Sequence, residues 1–384
     1  MWRRIGWGFT IVYNFIRMPL YWLVSCGKTK MSLIEMVSPK AMIAVSDKGT
    51  IKIGRMCGID SGSLIRACGG NINIWGRSET MKSEIKLSII ILTMNRKSQL
   101  IEALDSCLIC ELPKNFEIIV VNNGSNDGTA DVLKSYAGAH EIPFIIKNLT
   151  QNLGAGEGRN IAIETATGDY LFFLDDDAVI DVNFNRNFFI DAIDILSSNE
   201  IIATLTTRIF DECLEIVRGV TYSKNNLFRD MESILQVHGG GFFMKNKIIE
   251  GRVFPDIFYG YEELLPSIRF IDMGYVNVYT EKLRVIHKPQ FDKWSETSTV
   301  LKEQKSKALA GWLTVKYILY PVILRPMIYM GFVYRCIKHF GMDIKVISRC
   351  FSMHKKQVKG STSSRIKYKT VFLLFRDFGM GAGL

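Results

Sequence analysis

Between Lys86 and Asp177 the chain alternates short unbroken apolar runs with longer stretches in which apolar residues recur every three or four positions. Leu87-Ser88-Ile89-Ile90-Ile91-Leu92 reads as a strand covered on both faces, and Leu100, Ala103, Leu104, Cys107 and Leu108 predict a helix over about 98–110. Phe116 to Val121 repeats the strand signal, Asn122-Asn123-Gly124-Ser125 breaks it, and a helix is expected over 127–136. Pro143 to Lys147 gives a third strand. The glycine-rich loop Asn152 to Asn160 opens a helix ending near Gly168, and Tyr170-Leu171-Phe172-Phe173-Leu174 is the fourth strand. Such alternation implies an α/β fold with a parallel sheet and right-handed crossovers, whose ligands bind beyond the carboxyl ends of the strands. Thr93, Asn122 and Asp175 gather at that edge.

The fourth strand runs straight into Asp175-Asp176-Asp177. Carboxylates this close at the end of a buried strand raise one another's pKa and are costly unless a positive group binds them. A divalent cation is the simplest remedy, and oxygen ligands suit Mn²⁺ or Mg²⁺, which borrow further ligands from a diphosphate. The bland alternative is a solvated turn and helix cap. Downstream, Gly239-Gly240-Gly241 follows His238 and predicts a tight loop where backbone approaches a ligand closely.

In this order the segments resemble the family 2 inverting glycosyltransferases of the glycosyltransferase A fold, over roughly Lys86 to Lys288. Ser88 to Arg96 is similar to that family's first strand and nucleotide-contacting loop, and Val120 to Thr129 to its second. Asn152, Gly154, Arg159 and Asn160 match the loop before the metal motif, and Asp175-Asp176-Asp177 matches the Asp-x-Asp motif. Tyr261-Glu262-Glu263 matches the acidic pair that supplies the acceptor base, and His287 a histidine that completes the metal or diphosphate site. Two positions depart from the pattern: Asn122 stands where Asp is usual, and Glu263 where Asp is commoner. The resemblance implies a mixed sheet flanked by helices and a cation held by Asp175, Asp177 and His287. It also implies that Glu263, with Glu262 beside it, deprotonates the acceptor. A nucleoside-diphosphate sugar would be contacted by Thr93, Asn95, Arg96, Asn122, Asn123, Gly154, Arg159, Asp175 and Asp176, with Gly240 and Gly241 lining the site. A core histidine, an exposed helix start and a flexible loop are the alternative readings of His287, Glu262-Glu263 and Gly239 to Gly241.

Residues 85–300 are thus expected to form the catalytic domain, 85–180 as its nucleotide-binding half and 181–300 as its acceptor half, with Thr206 and Arg208 in the latter. Residues 28–84 read differently. Ile53, Ile59 and Ile65 are spaced by six, and Ile51-Lys52-Ile53 is echoed by Ile72-Asn73-Ile74. This stretch resembles a fragment of the left-handed β-helix acyltransferases, a short β-solenoid-like segment; a glycine-rich β-meander is the alternative. No histidine precedes His140, so the base needed for acyl transfer is missing. An open solenoid end can pair with a second copy or with a partner enzyme.

The chain ends change the picture of where the molecule works. Residues 1–27 mix Trp2, Trp7, Phe9, Phe15, Tyr21 and Trp22 with Arg3, Arg4 and Arg17, which predicts a membrane-surface helix rather than a span of about twenty apolar residues. No small-residue cleavage site follows, as a secretory signal would need. Residues 301–384 are expected to associate with a membrane: Trp312 to Tyr334 is apolar but broken by Lys316, Pro321, Arg325 and Pro326, which suits an interfacial or shallow re-entrant hairpin. From Arg335 to Arg376 eleven Lys or Arg face one acidic residue, Asp343, an excess as large as the whole chain's net charge of +10. Anionic headgroups are the expected partner; no nucleic-acid motif accompanies the charge. Eight scattered cysteines, with Cys107 and Cys110 on a predicted helix and no second pair, argue against disulfides and zinc and fit a reduced compartment. The expectation is a peripheral enzyme at the cytoplasmic side of a bacterial inner membrane, acting on a lipid-linked or glycan acceptor. The competing expectation, kept open by Asn122, is a non-catalytic sugar-nucleotide-binding scaffold that recruits a partner enzyme.

Overall fold

The computed structural model describes residues 86–257, 259–289, 299–359 and 364–379, together with the backbone of seven short strands between Thr29 and Ile74. The helix expected over 1–27 lies outside the described residues. The chain divides into two units, Met1–Ser83 and Glu84–Leu384.

In the first unit β1 (Thr29–Met31), β2 (Met36–Val37), β3 (Met42–Ser46), β4 (Thr50–Ile53), β5 (Gly58–Ile59), β6 (Leu64–Cys68) and β7 (Asn71–Ile74) form three parallel ladders, β1-β4-β7, β2-β5 and β3-β6. Thr29 pairs with Ile51, Met36 with Gly58 and Met42 with Leu64, each twenty-two positions on, while Ile51 pairs with Ile72. The strand repeat is therefore longer than three hexapeptides. Ile53, Ile59 and Ile65 fall on three different ladders, and the echo of Ile51 and Ile53 in Ile72 and Ile74 is a register within one ladder.

The second unit is built on a ten-stranded mixed sheet. Its nucleotide half alternates β8 (Lys86–Thr93), α1 (Lys97–Ile109), β9 (Asn115–Asn123), α2 (Thr129–Ala139), β10 (Phe144–Leu149), α3 (Ala155–Thr165) and β11 (Tyr170–Asp175). These four strands are parallel, in the order β10-β9-β8-β11. Then come β12 (Ala178–Ile180), α4 (Phe188–Ser197), β13 (Ile202–Asp211), β14 (Ile216–Val217), β15 (Glu232–Ile234), β16 (Gly241–Lys245), α5 (Leu264–Asp272) and β17 (Val276–His287). The sheet continues β11-β16-β13-β17-β12, with β16 antiparallel to both neighbours.

Period-two alternation explains why β11 is apolar throughout. Phe172 and Leu174 point into the core shared with α1, α2 and α4, where Phe172 packs against Phe188, Phe189 and Phe243. Leu171 and Phe173 point to the opposite face, under α3, where Phe173 stacks on Phe242 at 4.8 Å. A strand buried on both sides carries a polar residue only where a hydrogen-bond partner meets it, and β11 carries no charged residue until it emerges at Asp175.

Three local expectations shift. Asn122 and Asn123 do not break the strand: β9 runs through both, with Asn122 paired to Thr93 and Asn148. The helix after it starts at Thr129, because Gly128 takes φ +88° and Asp127 accepts from the Thr129 amide. The next helix starts at Ala155 rather than Asn160. Gly156 and Gly158 serve close packing there, since a Cβ would lie 2.7 Å from the Pro255 carbonyl oxygen at the first and would clash with the Leu92 side chain at the second.

The stretch expected to be a re-entrant hairpin forms α6 (Thr299–Leu319) and α7 (Arg325–Phe340), joined at Pro321, which cannot continue a helix; α8 (Ile344–Val358) and α9 (Tyr368–Phe378) follow. Trp312, Leu313, Val315, Leu319 and Tyr320 are buried in a third apolar cluster against α5, Phe332 and Leu374, so this stretch is apolar in large part because it packs on protein. Among the described residues no helix is long and apolar enough to cross a membrane.

Candidate active site

The carboxyl ends of β8, β9 and β11 lie side by side, with Thr93 opposite Asn122 and Asp175 opposite Leu92. Asn95, at φ +55°, ties two loops together: its amide donates to Ser125 Oγ at 2.9 Å and its side-chain oxygen accepts from the Asn126 amide at 2.8 Å. Asn122 donates to Asn148 and accepts from the Ser125 amide. Asn123 donates to the Gly154 carbonyl at 3.2 Å and accepts from the Leu153 amide at 2.9 Å. These hydrogen bonds hold the walls of the crevice in place.

Alternation separates the three aspartates. Asp176 turns back under the crevice, where it is 5 % exposed, accepts from Thr93 Oγ1 at 2.7 Å and pairs with Arg96 at 2.9 Å. Burial pushes its carboxyl up to about 6 against the opposing pull of Arg96, and the charge of Asp177 adds to the rise. Asp175 and Asp177 face His287, and one ligand atom from each lies within 4.8 Å of the others. The short strand β12 brings this about. Directly after Asp177, Ala178 pairs with His287, and the Lys288 amide donates to the Asp177 carbonyl at 2.7 Å. Asp177 is desolvated too, but its hydrogen bond with His287 and the charge of Arg96, 2.7 Å away, hold its carboxyl below the usual carboxylate range.

Two groups that the sequence reading missed complete this corner. Asp211, the last residue of β13, lies opposite His287 in the ladder and its Oδ2 is 3.1 Å from Nδ1. With Nδ1 turned to Asp211, the ring presents Nε2 to Asp177, 3.3 Å away, on the side where a cation would be held. Arg218 approaches the same ring, with Nη2 2.7 Å from Nδ1 and 3.0 Å from Nε2, and its Nη1 donates to the Gly239 carbonyl at 3.3 Å. Neither residue belongs to a motif; strand pairing alone would have revealed Asp211.

A second cluster adjoins the first through Arg159. This guanidinium, on α3, pairs with Asp175 at 3.0 Å, Glu263 at 2.7 Å and Glu262 at 3.6 Å, and is wedged near the rings of Phe242 and Phe254. The helix register, not a loop, therefore positions Arg159, and its forked nitrogens touch protein carboxylates. Glu263 sits at the amino end of α5, after Gly260 (φ +83°) and Tyr261 (φ +64°) turn the chain. Burial drives the Glu262 carboxyl up to about 7, with the charge of Glu263 adding and Arg159 opposing. Gly239 closes the cluster, since a Cβ there would lie 2.8 Å from Glu263 Oε1 and 3.7 Å from Asp175 Oδ2. Gly240 follows at φ +110°, and its carbonyl accepts from the Asp175 amide at 3.4 Å. At Gly241 a Cβ would meet Val285 at 2.7 Å, so this glycine fits the sheet rather than the crevice. Gly154 caps α3 at φ +87°.

Residues 88–249 match the model of Glycosyl transferase family 2. This segment is a family 2 domain. Its match takes in the aspartates, Arg159, Arg218 and the Gly239 loop and stops short of Glu263 and His287. Among curated relatives, the poly(ribitol-phosphate) beta-glucosyltransferase of Bacillus spizizenii is 36 % identical over 97 residues, 25 % of this chain and 15 % of the relative. The chain spans less than a third of the length of the first curated relatives it matches. S. aureus TarS 1–349 in complex with UDP-GlcNAc superposes with TM-score 0.51 at 16 % identity, over 76 % of this chain and 85 % of that one. GalNAc-T7 with UDP, GalNAc and Mn²⁺ also gives 0.51, at 15 % identity, over 72 % of this chain and 55 % of that one. These likenesses show that the family 2 domain of this chain sits in a glycosyltransferase A-like mixed sheet.

Two carboxylates and an imidazole, with Asp175 one-third exposed, form a donor set open on one side. That set fits a divalent ion that keeps waters or phosphate oxygens, and the imidazole favours Mn²⁺ over the harder Mg²⁺.

Proposed function

We propose that the chain is a metal-dependent inverting glycosyltransferase that moves a sugar from a nucleoside-diphosphate donor to a hydroxyl of a lipid-linked or glycan acceptor in bacterial surface glycan synthesis. The observation that carries this reading is the juxtaposition, through one buried arginine, of the Asp175, Asp177 and His287 corner with the Glu262-Glu263 pair. Asp175, Asp177 and His287 would hold the cation, which supplies Lewis-acid stabilisation of a diphosphate leaving group. The nucleotide lies along Thr93, Asn95, Arg96, Asn122 and Asn123, and Asp176 keeps Arg96 in place. Glu263 takes the proton of the acceptor hydroxyl as that oxygen attacks the anomeric carbon opposite the leaving diphosphate, which inverts the centre. Arg159 fixes Glu263 relative to Asp175 and so sets the line of attack. The named activity of the Bacillus spizizenii relative and the nucleotide sugar bound to TarS support the donor class.

The strand ladders of residues 29–74 support a parallel β-solenoid fragment, whose open end offers a second copy or a partner enzyme a surface for pairing. We further propose a peripheral position on an anionic membrane, at the cytoplasmic side of a bacterial inner membrane; α7 bears on the membrane contact alone. On this helix Ile323 just before it, then Met327, Met330, Tyr334 and Ile337, recur four, three, four and three positions apart and are all exposed. Lys345, Arg349, Lys355 and Lys356 are exposed on the neighbouring α8, and Lys359 is exposed just after it.

The test is turnover of labelled UDP-glucose, UDP-GlcNAc and GDP-mannose with Mn²⁺, with and without anionic vesicles. The expected result is Mn²⁺-dependent release of nucleoside diphosphate from one donor. Asp177→Ala should abolish it, and Glu263→Gln should lower kcat by about 10²-fold or more. Nucleotide binding without turnover across the panel would instead support the scaffold reading.

A further inference from the structure

Arg218 lies where a cation bound to His287 would feel it most. Its Nη2 is 2.7 Å from Nδ1 and 3.0 Å from Nε2 of that ring and 3.4 Å from Asp211 Oδ2. An ion on Nε2 would sit about 2.1 Å from that nitrogen, so it would lie no more than about 5 Å from the guanidinium nitrogen. Two positive groups at that separation repel strongly in a partly desolvated corner. We infer that Arg218 is a built-in competitor for the cation site: with no ion bound its guanidinium holds His287 and Asp211, and ion binding drives it outward, where it becomes a ligand of the diphosphate.

The geometry permits such a movement. The Arg218 side chain is about one-third exposed, and its bonds to Asp211 and to the Gly239 carbonyl are long, at 3.4 and 3.3 Å. Its backbone is pinned, since its amide donates to the Ile209 carbonyl at 2.9 Å, so the side chain moves while the strand stays. Phosphate oxygens on the ion would lie within reach of the displaced guanidinium, and its planar fork matches two of them. Metal and nucleotide would thereby assist one another: the ion releases Arg218, and the diphosphate rewards its new position.

This inference rests on the assignment of Asp175, Asp177 and His287 to a cation, and the experiment separates the two. Free Mn²⁺ is followed by electron paramagnetic resonance in titrations of the wild-type chain, Arg218→Gln, Arg218→Lys and Asp177→Ala without nucleotide. UDP and GDP affinities are then measured calorimetrically at saturating Mn²⁺. The expected result for Arg218→Gln is about tenfold tighter Mn²⁺ binding and about tenfold weaker binding of whichever nucleotide binds the wild type. Arg218→Lys, which keeps the charge and loses the fork, should change Mn²⁺ affinity little and still weaken the nucleotide; it decides the nucleotide arm if the glutamine variant loses its circular dichroism. Mn²⁺ binding that vanishes in Asp177→Ala but is unchanged or weakened in Arg218→Gln overturns the Arg218 inference alone. Mn²⁺ binding that survives Asp177→Ala, or is absent from every variant, overturns the site assignment as well.

Discussion

Glu262 and Glu263 are neighbours in sequence and share Arg159, but they meet it at different distances. Glu263 takes the short contact, 2.7 Å, whereas Glu262 lies 3.6 Å away and its other carboxylate oxygen is buried with no hydrogen-bond partner. Burial and the adjacent charge therefore raise the Glu262 carboxyl to about 7. The sign for stability follows from linkage. Because the folded state binds the proton more tightly than the unfolded chain, Glu262 favours folding below about 4.5, and that contribution is lost as pH rises through 7. Glu262→Gln should thus leave the melting temperature near the wild-type value at pH 4.5 and raise it at pH 8. Thermal melts at the two pH values check this; equal shifts at both would mean that the carboxyl titrates normally. For Glu263 the neutral variant should act on turnover instead, as an acceptor base requires.

At the scale of elements, what was legible followed from local pattern. The runs Leu87 to Leu92 and Tyr170 to Leu174 became β8 and β11 because both faces of each strand are covered, which demands continuous apolar sequence. Asp175, Asp177 and His287 could be grouped by motif order before any contact was known. Asp211 and Arg218 could not, because β13 and β17 are far apart in sequence and their register, with its bulge between Thr206 and Arg208, is set by tertiary packing. The start of α3 was missed for a related reason: glycines that read as a loop were required for close approach to Leu92 and Pro255. The exposed face of α7 was equally hidden, since sequence alone does not divide an apolar stretch into its buried and exposed sides. That face makes its own prediction. Met330→Glu combined with Tyr334→Glu, at positions 65 % and 67 % exposed, should weaken flotation with anionic vesicles by about tenfold or more while leaving the melting temperature within about a degree. Undiminished vesicle binding would move the membrane contact elsewhere.

Across the whole molecule, the chemistry is assembled from segments that no single motif spans. The family 2 match ends at residue 249, yet Glu263 and His287, which complete the two halves of the site, come from α5 and β17 beyond it. His287 is held by the sheet, and Glu263 by α5, which shares an apolar cluster with the C-terminal helices, so that bundle helps to position Glu263. The central claim is that two aspartates and a histidine from two separate stretches grip one ion facing the acidic pair. Anomalous diffraction at the manganese edge, from crystals grown with Mn²⁺ and UDP, measures it most directly. The account predicts one peak within coordination distance of Asp175, Asp177 and His287, with diphosphate oxygens on its open side. Ordered UDP in the crevice with no peak there, or a peak held by other residues, would contradict it.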